Sequence, residues 1–183
     1  MADLTNIKDL TTDLPDTWTF LWSPEEAKAI PNEHKDQIHF LNDQGTKVVN
    51  DFLRGSKMIN GIPSNPINPD YFKSVDSFWG FEPQIKKWLY NKGIPFDKYV
   101  FVDQDKSGQA VMLTWKMVIK YCRGLFFSED VVVFDQSLNW VLYYWHSDRL
   151  FFAEDPIFDR DKEYQKTLEV NEILNRGTSV NKR

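Results

Sequence analysis

One short segment, Trp145–Asp148, brings together the three residue types that hydrolases use for nucleophilic catalysis. It contains His146, Ser147 and Asp148 in consecutive positions. Because neighbouring side chains on a strand or turn point away from one another, one segment cannot assemble these groups into a working triad. His146 could still act as a general acid or base with a carboxylate such as Asp148 or Asp135. A structural hydrogen bond at a strand end is the simpler interpretation, and we predict no catalytic residue.

The segment Asp103–Gly108 matches the opening of a calcium-binding loop. It places oxygen-bearing side chains at positions one, three and five, and glycine at position six. The twelfth position, which needs a bidentate glutamate, is Thr114, and the flanking residues have the pattern of strands rather than helices. We therefore predict a hairpin turn, and the sequence leaves open whether this turn binds a cation.

Three other residues could bind a metal or act as a nucleophile. His34 and His39 are five residues apart, which is not the i, i+4 spacing of a helical metal-binding pair. Cys122, the one cysteine, falls on the apolar side of a predicted helix, where a buried thiol is unreactive. We predict neither a metal site nor a cofactor.

Aromatic residues make up 15% of the chain, and several of them alternate along the predicted strands. We assign Trp140, Tyr144 and Phe151 to one face, with Tyr143 and Trp145 on the opposite one. An exposed set of this kind would suit a structural or scaffold protein that binds partners through an aromatic patch. Aromatic alternation more often reflects core packing, which is the interpretation that the sequence favours.

Acidic residues dominate the C-terminal part of a chain whose net charge is −5. Residues 129–163 include nine acidic side chains and three basic ones. Such a surface could simply keep the protein soluble, or it could steer and bind a basic partner. It disfavours nucleic-acid and anionic-membrane partners, because both bind clustered lysine and arginine. The candidate partner-binding residues are Asp148, Glu154, Asp155, Asp159 and Asp161.

Hydrophobic periodicity predicts the elements that must position these residues. A short helix is expected to begin at Ser23 and to end before Ile30, because Pro31 disfavours helix there. Further helices are expected at residues 43–56, 82–91, 114–124 and 159–175. Strands are expected at residues 18–22, 99–102, 109–113, 131–134, 139–146 and 150–153, and the proline-rich residues 61–69 predict a loop or linker. Helices come first and hairpins second, which predicts an α+β fold: a mostly antiparallel sheet of about five strands packed against helices, with a helical N-terminal part.

The length of 183 residues favours a single domain. We predict a flexible N-terminal arm over residues 1–16, one α+β domain over 17–176 and a frayed tail over 177–183. The first residues do not resemble a signal peptide, and no apolar stretch has the length of a membrane span. A cytoplasmic location is therefore expected.

The segment Phe134–Phe152 carries a resemblance that bears on function. An acidic-Ser turn, a tryptophan-bearing strand, a His-acid turn and a final apolar strand follow one another there. This pattern resembles one common in bacterial toxin-immunity proteins, including those of contact-dependent growth inhibition and related polymorphic toxin systems. The longer run Tyr99–Ala153 also resembles a small family of uncharacterised bacterial proteins.

The resemblance implies a non-catalytic protein, not an enzyme, that binds a cognate toxin tightly and neutralises it. Many such toxins are nucleases with basic clefts, so an acidic inhibitor would occupy the cleft in place of phosphate. The expected partner is then a basic protein toxin, and the five acidic candidates form the binding rim. The resemblance carries over no catalytic residue.

Overall fold

The computed structural model describes residues 4, 6–13, 24–62, 65–77, 82–104, 109–127, 129–159, 161–163, 165–166 and 168–170. The strands in this part of the chain are β1 Thr11–Thr12, β2 Ile38–Leu41, β3 Ile59–Ile62, β4 Asn65–Ile67, β5 Phe72–Ser77, β6 Tyr99–Gln104, β7 Val111–Thr114, β8 Val131–Phe134, β9 Trp140–Trp145 and β10 Arg149–Glu154. The helices are α1 Pro24–Lys28, α2 Asn32–Lys35, α3 Asp43–Leu53, α4 Glu82–Tyr90, α5 Trp115–Lys120 and α6 Cys122–Leu125. Short 3-10 helices, Ile7–Leu10 and Pro69–Tyr71, precede β1 and β5.

Eight of the described strands form one antiparallel sheet in the order β1-β2-β7-β6-β8-β9-β10-β5. The central block, from β7 to β10, comes from residues 99–154. The strands at both edges come from the N-terminal half, with β1 and β2 on one side and β5 on the other. β3 and β4 form a separate two-stranded hairpin.

Alternating side chains divide the core into two layers, one on each face of the large sheet. On β9, Trp140 belongs to one layer and Val141 to the other. Both faces of a strand can be apolar only when both are covered, because strand side chains alternate with a period of two. Helices α4, α5 and α6 cover the first face, with Leu89 and Trp115 fully buried. Helix α3, the β3–β4 hairpin and the 3-10 helix Ile7–Leu10 cover the second.

Helix α3 illustrates how local sequence fixes the second layer. The Asn42 side chain accepts a hydrogen bond from the Gly45 N–H at 2.9 Å, which caps the helix. Val49 and Phe52 follow at helical spacing and are fully buried. A Cβ atom at Gly45 would lie 2.8 Å from the Leu10 carbonyl oxygen, so glycine is required for the N-terminal segment to pack this closely against α3.

The predicted α+β fold, with about five strands and a helical N-terminal part, is wrong. The chain is β-rich and is built on the eight-stranded sheet. The predicted strands between residues 99 and 153 correspond to β6–β10, the centre of that sheet. Of the missed strands, β1 has only two residues, β2 is a short apolar run interrupted by His39, and β5 has exposed side chains at a sheet edge. The predicted loop at 61–69 contains parts of the β3–β4 hairpin.

Several predicted helices agree with the structure. Those at 43–56 and 82–91 correspond to α3 and α4, and the one at 114–124 corresponds to α5 followed by α6. The strand predicted at 18–22 lies outside the described residues. Inside the predicted arm, Ile7 is buried in the second core layer. Among the helices that the structure describes, none has both the length and the apolar character that a bilayer span requires.

Candidate functional site

His146 lies in the turn between β9 and β10, where a neighbouring carboxylate holds its ring. Asp130 Oδ1 accepts a hydrogen bond from the His146 backbone N–H at 2.9 Å and lies 2.8 Å from His146 Nδ1. The Tyr143 hydroxyl donates to Asp130 Oδ2 at 3.0 Å. Partial burial favours the neutral form of Asp130, but these donors outweigh it and hold the pKa of Asp130 below its ordinary value. The contact orients the ring and leaves Nε2 as the acceptor nitrogen of the neutral form.

The two carboxylates that the alternative enzyme hypothesis paired with His146 have hydrogen-bond partners of their own. Asp148, at a φ of 61° in the same turn, accepts from the Tyr144 hydroxyl at 3.1 Å. Burial, and then the nearby Asp148 carboxylate, raises the pKa of Tyr144, so this hydroxyl remains a donor. Asp135 lies at the opposite end of the sheet. Asp130 therefore occupies the place beside His146 that the alternative hypothesis gave to Asp148 or Asp135.

Asp135 is a carboxylate, 5% exposed, that organises the turn between β8 and β9. Its Oδ1 atom accepts from the Ser137 N–H at 2.8 Å and also from the Ser137 hydroxyl. Its Oδ2 atom accepts from Trp140 Nε1 at 3.1 Å and lies 3.3 Å from Lys98 Nζ. Asp135 thus ties the segment before β6 to the start of β9, which is a structural role.

The loop that follows β10 is anchored to the start of β9 by the Asn139 side chain. Asn139 Nδ2 donates to the carbonyl oxygens of Asp155 at 2.9 Å and Phe158 at 3.0 Å. The Asp155 N–H donates in return to the Asn139 carbonyl oxygen at 2.8 Å. Between these anchors the Ile157 side chain is 90% exposed. We name the Ile157 loop the segment that runs from Glu154, the last residue of β10, to Asp159; it holds a large apolar side chain at a fixed place on the surface.

The structure brings together part of the predicted acidic rim and separates the rest. Glu154 and Asp159 are exposed on the Ile157 loop, and Asp161 is exposed just beyond it. Asp155 is buried beneath the loop. Asp148 lies at the other end of β10, a strand of six residues that spans about 20 Å. One continuous rim therefore cannot contain all five residues.

The aromatic candidates Trp140, Tyr144 and Phe151 are buried in the core, which confirms the packing interpretation. The register pairs Phe151 with Tyr143 across β9 and β10. Phe151 therefore lies in the second core layer, on the face opposite Trp140 and Tyr144, so our assignment of faces was wrong for this residue.

Packing and hydrogen bonds account for the environments of Cys122, His34 and His39. Cys122 is fully buried, as predicted, and burial raises the pKa of its thiol to about 12. His34 Nδ1 lies 2.7 Å from the Tyr121 hydroxyl. Burial, with Lys8 as the next cause, lowers the pKa of His39. Each of these groups is accounted for by local packing and hydrogen bonding.

The turn predicted between Asp103 and Gly108 lies mostly outside the described residues, and cation binding there stays an open question. The hairpin itself is confirmed, because β6 and β7 pair antiparallel. With its amide nitrogen oriented toward β6, Asn50 donates to the two carboxylate oxygens of Asp103 at 2.8 and 3.0 Å. This contact joins α3 to the sheet.

Sequence reasoning missed Asp130, Asn139 and Ile157. Asp130 could have been found, because a hairpin places the residue before β8 close to the residues that follow β9. Asn139 and Asp155 are sixteen residues apart, and nothing in their spacing indicates a contact. Ile157 lies between the two residues that Asn139 contacts, and its exposure likewise has no signal in the sequence.

Comparisons of this chain with protein-family models, curated proteins and solved structures found no match. The resemblance to immunity proteins thus remains a prediction. The function must be inferred from the geometry of the Ile157 loop and of the His146 turn.

Proposed function

We propose that this chain is a non-catalytic immunity protein that binds and neutralises a basic protein toxin through the Ile157 loop. The observation that carries the proposal is the Ile157 side chain, 90% exposed on a loop that Asn139 anchors. Exposed carboxylates at Glu154, Asp159 and Asp161 accompany it. An apolar anchor among acidic side chains matches a basic surface that contains an apolar pocket.

Anchoring of the loop supports a binding role on energetic grounds. A segment that is already ordered loses little conformational entropy when a partner docks, so less of the interaction energy is lost. Burying one isoleucine side chain stabilises a complex by about 1.5–3 kcal/mol. Interfaces commonly concentrate their binding energy in a few such buried anchors.

The acidic side chains support fast and salt-dependent association with a basic partner. Asp159 Oδ1 accepts a hydrogen bond from the Lys162 N–H at 3.1 Å, so this carboxylate has a fixed position at the start of the helical residues 161–163. Long-range attraction of this kind raises the association rate and is screened by salt. The proposal places the protein in the cytoplasm, with neither cofactor nor nucleic-acid partner, and leaves Asp148 and Asp155 outside the binding surface.

A second candidate is acid–base chemistry at His146. Asp130 orients the ring through Nδ1, and the His146 side chain is 57% exposed. A fixed carboxylate–imidazole pair is the arrangement by which enzymes hold a general base in one tautomer. If the chain is a non-catalytic inhibitor instead, the His146→Ala variant should still neutralise the toxin.

The first test is an affinity pull-down with this protein from a lysate of its source organism, at low and high salt. We expect one basic protein to be retained in stoichiometric amount at low salt and less of it at high salt. Expressed alone, that protein should stop growth, and co-expression of this chain should restore it. A retained protein that is neither basic nor toxic, or no retained protein, would contradict the immunity proposal.

Matched variants then locate the binding surface. Ile157→Glu should weaken binding about 30-fold or more, because it removes a buried anchor and adds a charge that must be desolvated. Val170→Glu changes an exposed apolar residue outside the loop and should leave affinity unchanged. Glu154→Lys with Asp161→Lys should slow association, whereas Glu25→Lys with Glu33→Lys makes the same charge change elsewhere. If each variant and its control had equal effects, the Ile157 loop would not be the binding surface.

A further inference from the structure

A cavity of about 550 Å³ lies at the end of the sheet where β6 begins. Its walls come from the N-terminal segment, from the residues that lead into β6, from β6 and β7, and from the turn after β8. The lining residues are Leu4, Ile7, Lys8, Pro95, Asp97, Lys98, Tyr99, Phe101, Met112 and Gln136. Its volume is in the range of small-molecule sites, about 300–1,000 Å³.

The interior of this cavity, which we name the Lys8 pocket, is apolar. Leu4, Ile7, Phe101 and Met112 are all buried members of the second core layer. An apolar interior with a few polar groups at its rim is the usual composition of a site for a small organic ligand. An apolar ligand body therefore suits this part of the pocket.

The charged side chains at the rim of the pocket differ in how readily they can pair with a ligand. Lys98 Nζ lies 3.3 Å from the buried carboxylate of Asp135, so its charge is largely committed. Asp97 is exposed, where water screens its charge. Lys8 Nζ lies 5.3 Å from the centre of the Tyr99 ring, at the outer limit of a cation–π contact. The Lys8 ammonium thus lies beside the Tyr99 ring at the rim of the pocket, where it can approach an anion.

We propose that the Lys8 pocket binds a small amphipathic carboxylate, whose apolar body contacts Phe101 and Met112 while its carboxylate pairs with Lys8. This site is separate from the Ile157 loop and does not depend on the proposed toxin binding. Contact with these side chains removes part of the apolar body from water, which is favourable in proportion to the area buried. The ion pair at the rim selects an anion over a neutral or cationic molecule of the same shape.

The test compares three ligands that share one ten-carbon chain: decanoate, decanol and decylammonium, each below the concentration at which it aggregates. Isothermal titration calorimetry on the full chain should give decanoate a dissociation constant at least fivefold lower than that of the other two. Lys8→Met should remove this preference, and Lys87→Met, an exposed lysine on α4, should leave it unchanged. Lys8 is at the surface, so this variant should fold.

NMR signals of methionine methyl groups can show where the ligand binds. With 13C-methyl methionine, decanoate should shift the NMR signal of Met112, in the pocket, and leave that of Met117, in the opposite core layer, in place. Absence of decanoate binding, equal affinity for decanol, or a preference unaffected by Lys8→Met would each overturn the proposal. So would a ligand-induced shift at Met117 without one at Met112.

Discussion

Asp135 and Asp130 each organise one end of the same antiparallel sheet, but water reaches them differently. The Asp135 side chain is 5% exposed and accepts from Ser137 and Trp140 beside Lys98. The Asp130 side chain is 16% exposed and accepts from His146 and Tyr143. The two carboxylates have similar donor sets, so the difference between them lies in burial and in what they hold.

Because Asp135 and Asp130 differ in burial, we expect the loss of each carboxylate to have a different effect. A buried donor that loses its acceptor cannot turn to water, whereas a partly exposed donor can. The Asp135 end of the sheet also carries the Ile157 loop and the Lys8 pocket, and both depend on segments that Asp135 holds in place. The Asp130 end holds one exposed imidazole ring. We therefore expect Asp135 to govern stability and Asp130 to govern the orientation of His146.

The largest expected effect is that of Asp135→Ala. Removing this carboxylate leaves the Trp140 indole N–H without its acceptor in the core and separates Lys98 from its partner. We expect a loss of about 2–4 kcal/mol in the free energy of unfolding, measured by urea denaturation. Asp97→Ala, an exposed carboxylate just before β6, is the control and should change stability by less than about 0.5 kcal/mol.

A smaller effect is expected for Asp130→Ala, about 1–2 kcal/mol in the same measurement. Charge-assisted hydrogen bonds to the His146 backbone and ring are lost, but water can replace part of them at this site. If Asp130→Ala destabilises the chain as much as Asp135→Ala does, burial does not distinguish the two ends of the sheet.

His146→Ala should cost less than about 1 kcal/mol, because the ring is largely exposed and its pairing with Asp130 lies near the surface. A double-mutant cycle with Asp130→Ala separates the ring contact from the backbone contact. A coupling energy near the full cost of Asp130→Ala would mean that the ring, rather than the backbone N–H, is the principal partner.

The smallest expected effect is the pH dependence of the stability that Asp130 contributes. The folded-state pKa of Asp130 is lowered, so the unfolded chain binds the proton more readily. The stability that Asp130 contributes is thus fully present above its unfolded pKa and is lost as pH falls through the folded value. In a His146→Ala background, which removes the imidazole from beside Asp130, the difference in unfolding free energy between the chain with Asp130 and the Asp130→Asn variant should shrink below about pH 4. A difference in that background that grows on acidification would mean that the pKa of Asp130 is raised instead.

The centre of the sheet could be predicted from the sequence, and its edges could not. Strands β6–β10 are rich in alternating or continuous apolar residues, because helices and a hairpin cover both of their faces. β5 is an edge strand with exposed Phe72, Lys73 and Val75, so its pattern gives no clear periodicity. β1 has two residues and belongs to the sheet only through pairing with β2. Strands of this kind depend on tertiary contacts rather than on local pattern.

The acidic character of the candidate surface could also be predicted, but its shape could not. Glu154, Asp155 and Asp159 are close in sequence, yet Asp155 is buried because the loop folds back onto Asn139. Asp148 is separated from them by the length of β10. The residue composition of this segment predicts its acidic charge. Hydrogen bonds between residues distant in sequence determine which of the carboxylates are exposed.

The position of the edge strands has a consequence for how the chain folds. β6–β10 pair mostly with strands close in sequence, whereas β5 pairs with β10 and β2 with β7 across long stretches of chain. Pairing across long stretches is slow, because loop-closure entropy must be overcome first. On the ribosome β2 and β5 emerge before β7 and β10, the strands of the central block that they join, so these two pairings must wait until residues 111–154 have been made. Their short length or exposed lysine limits the aggregation that a long apolar strand would risk during that interval.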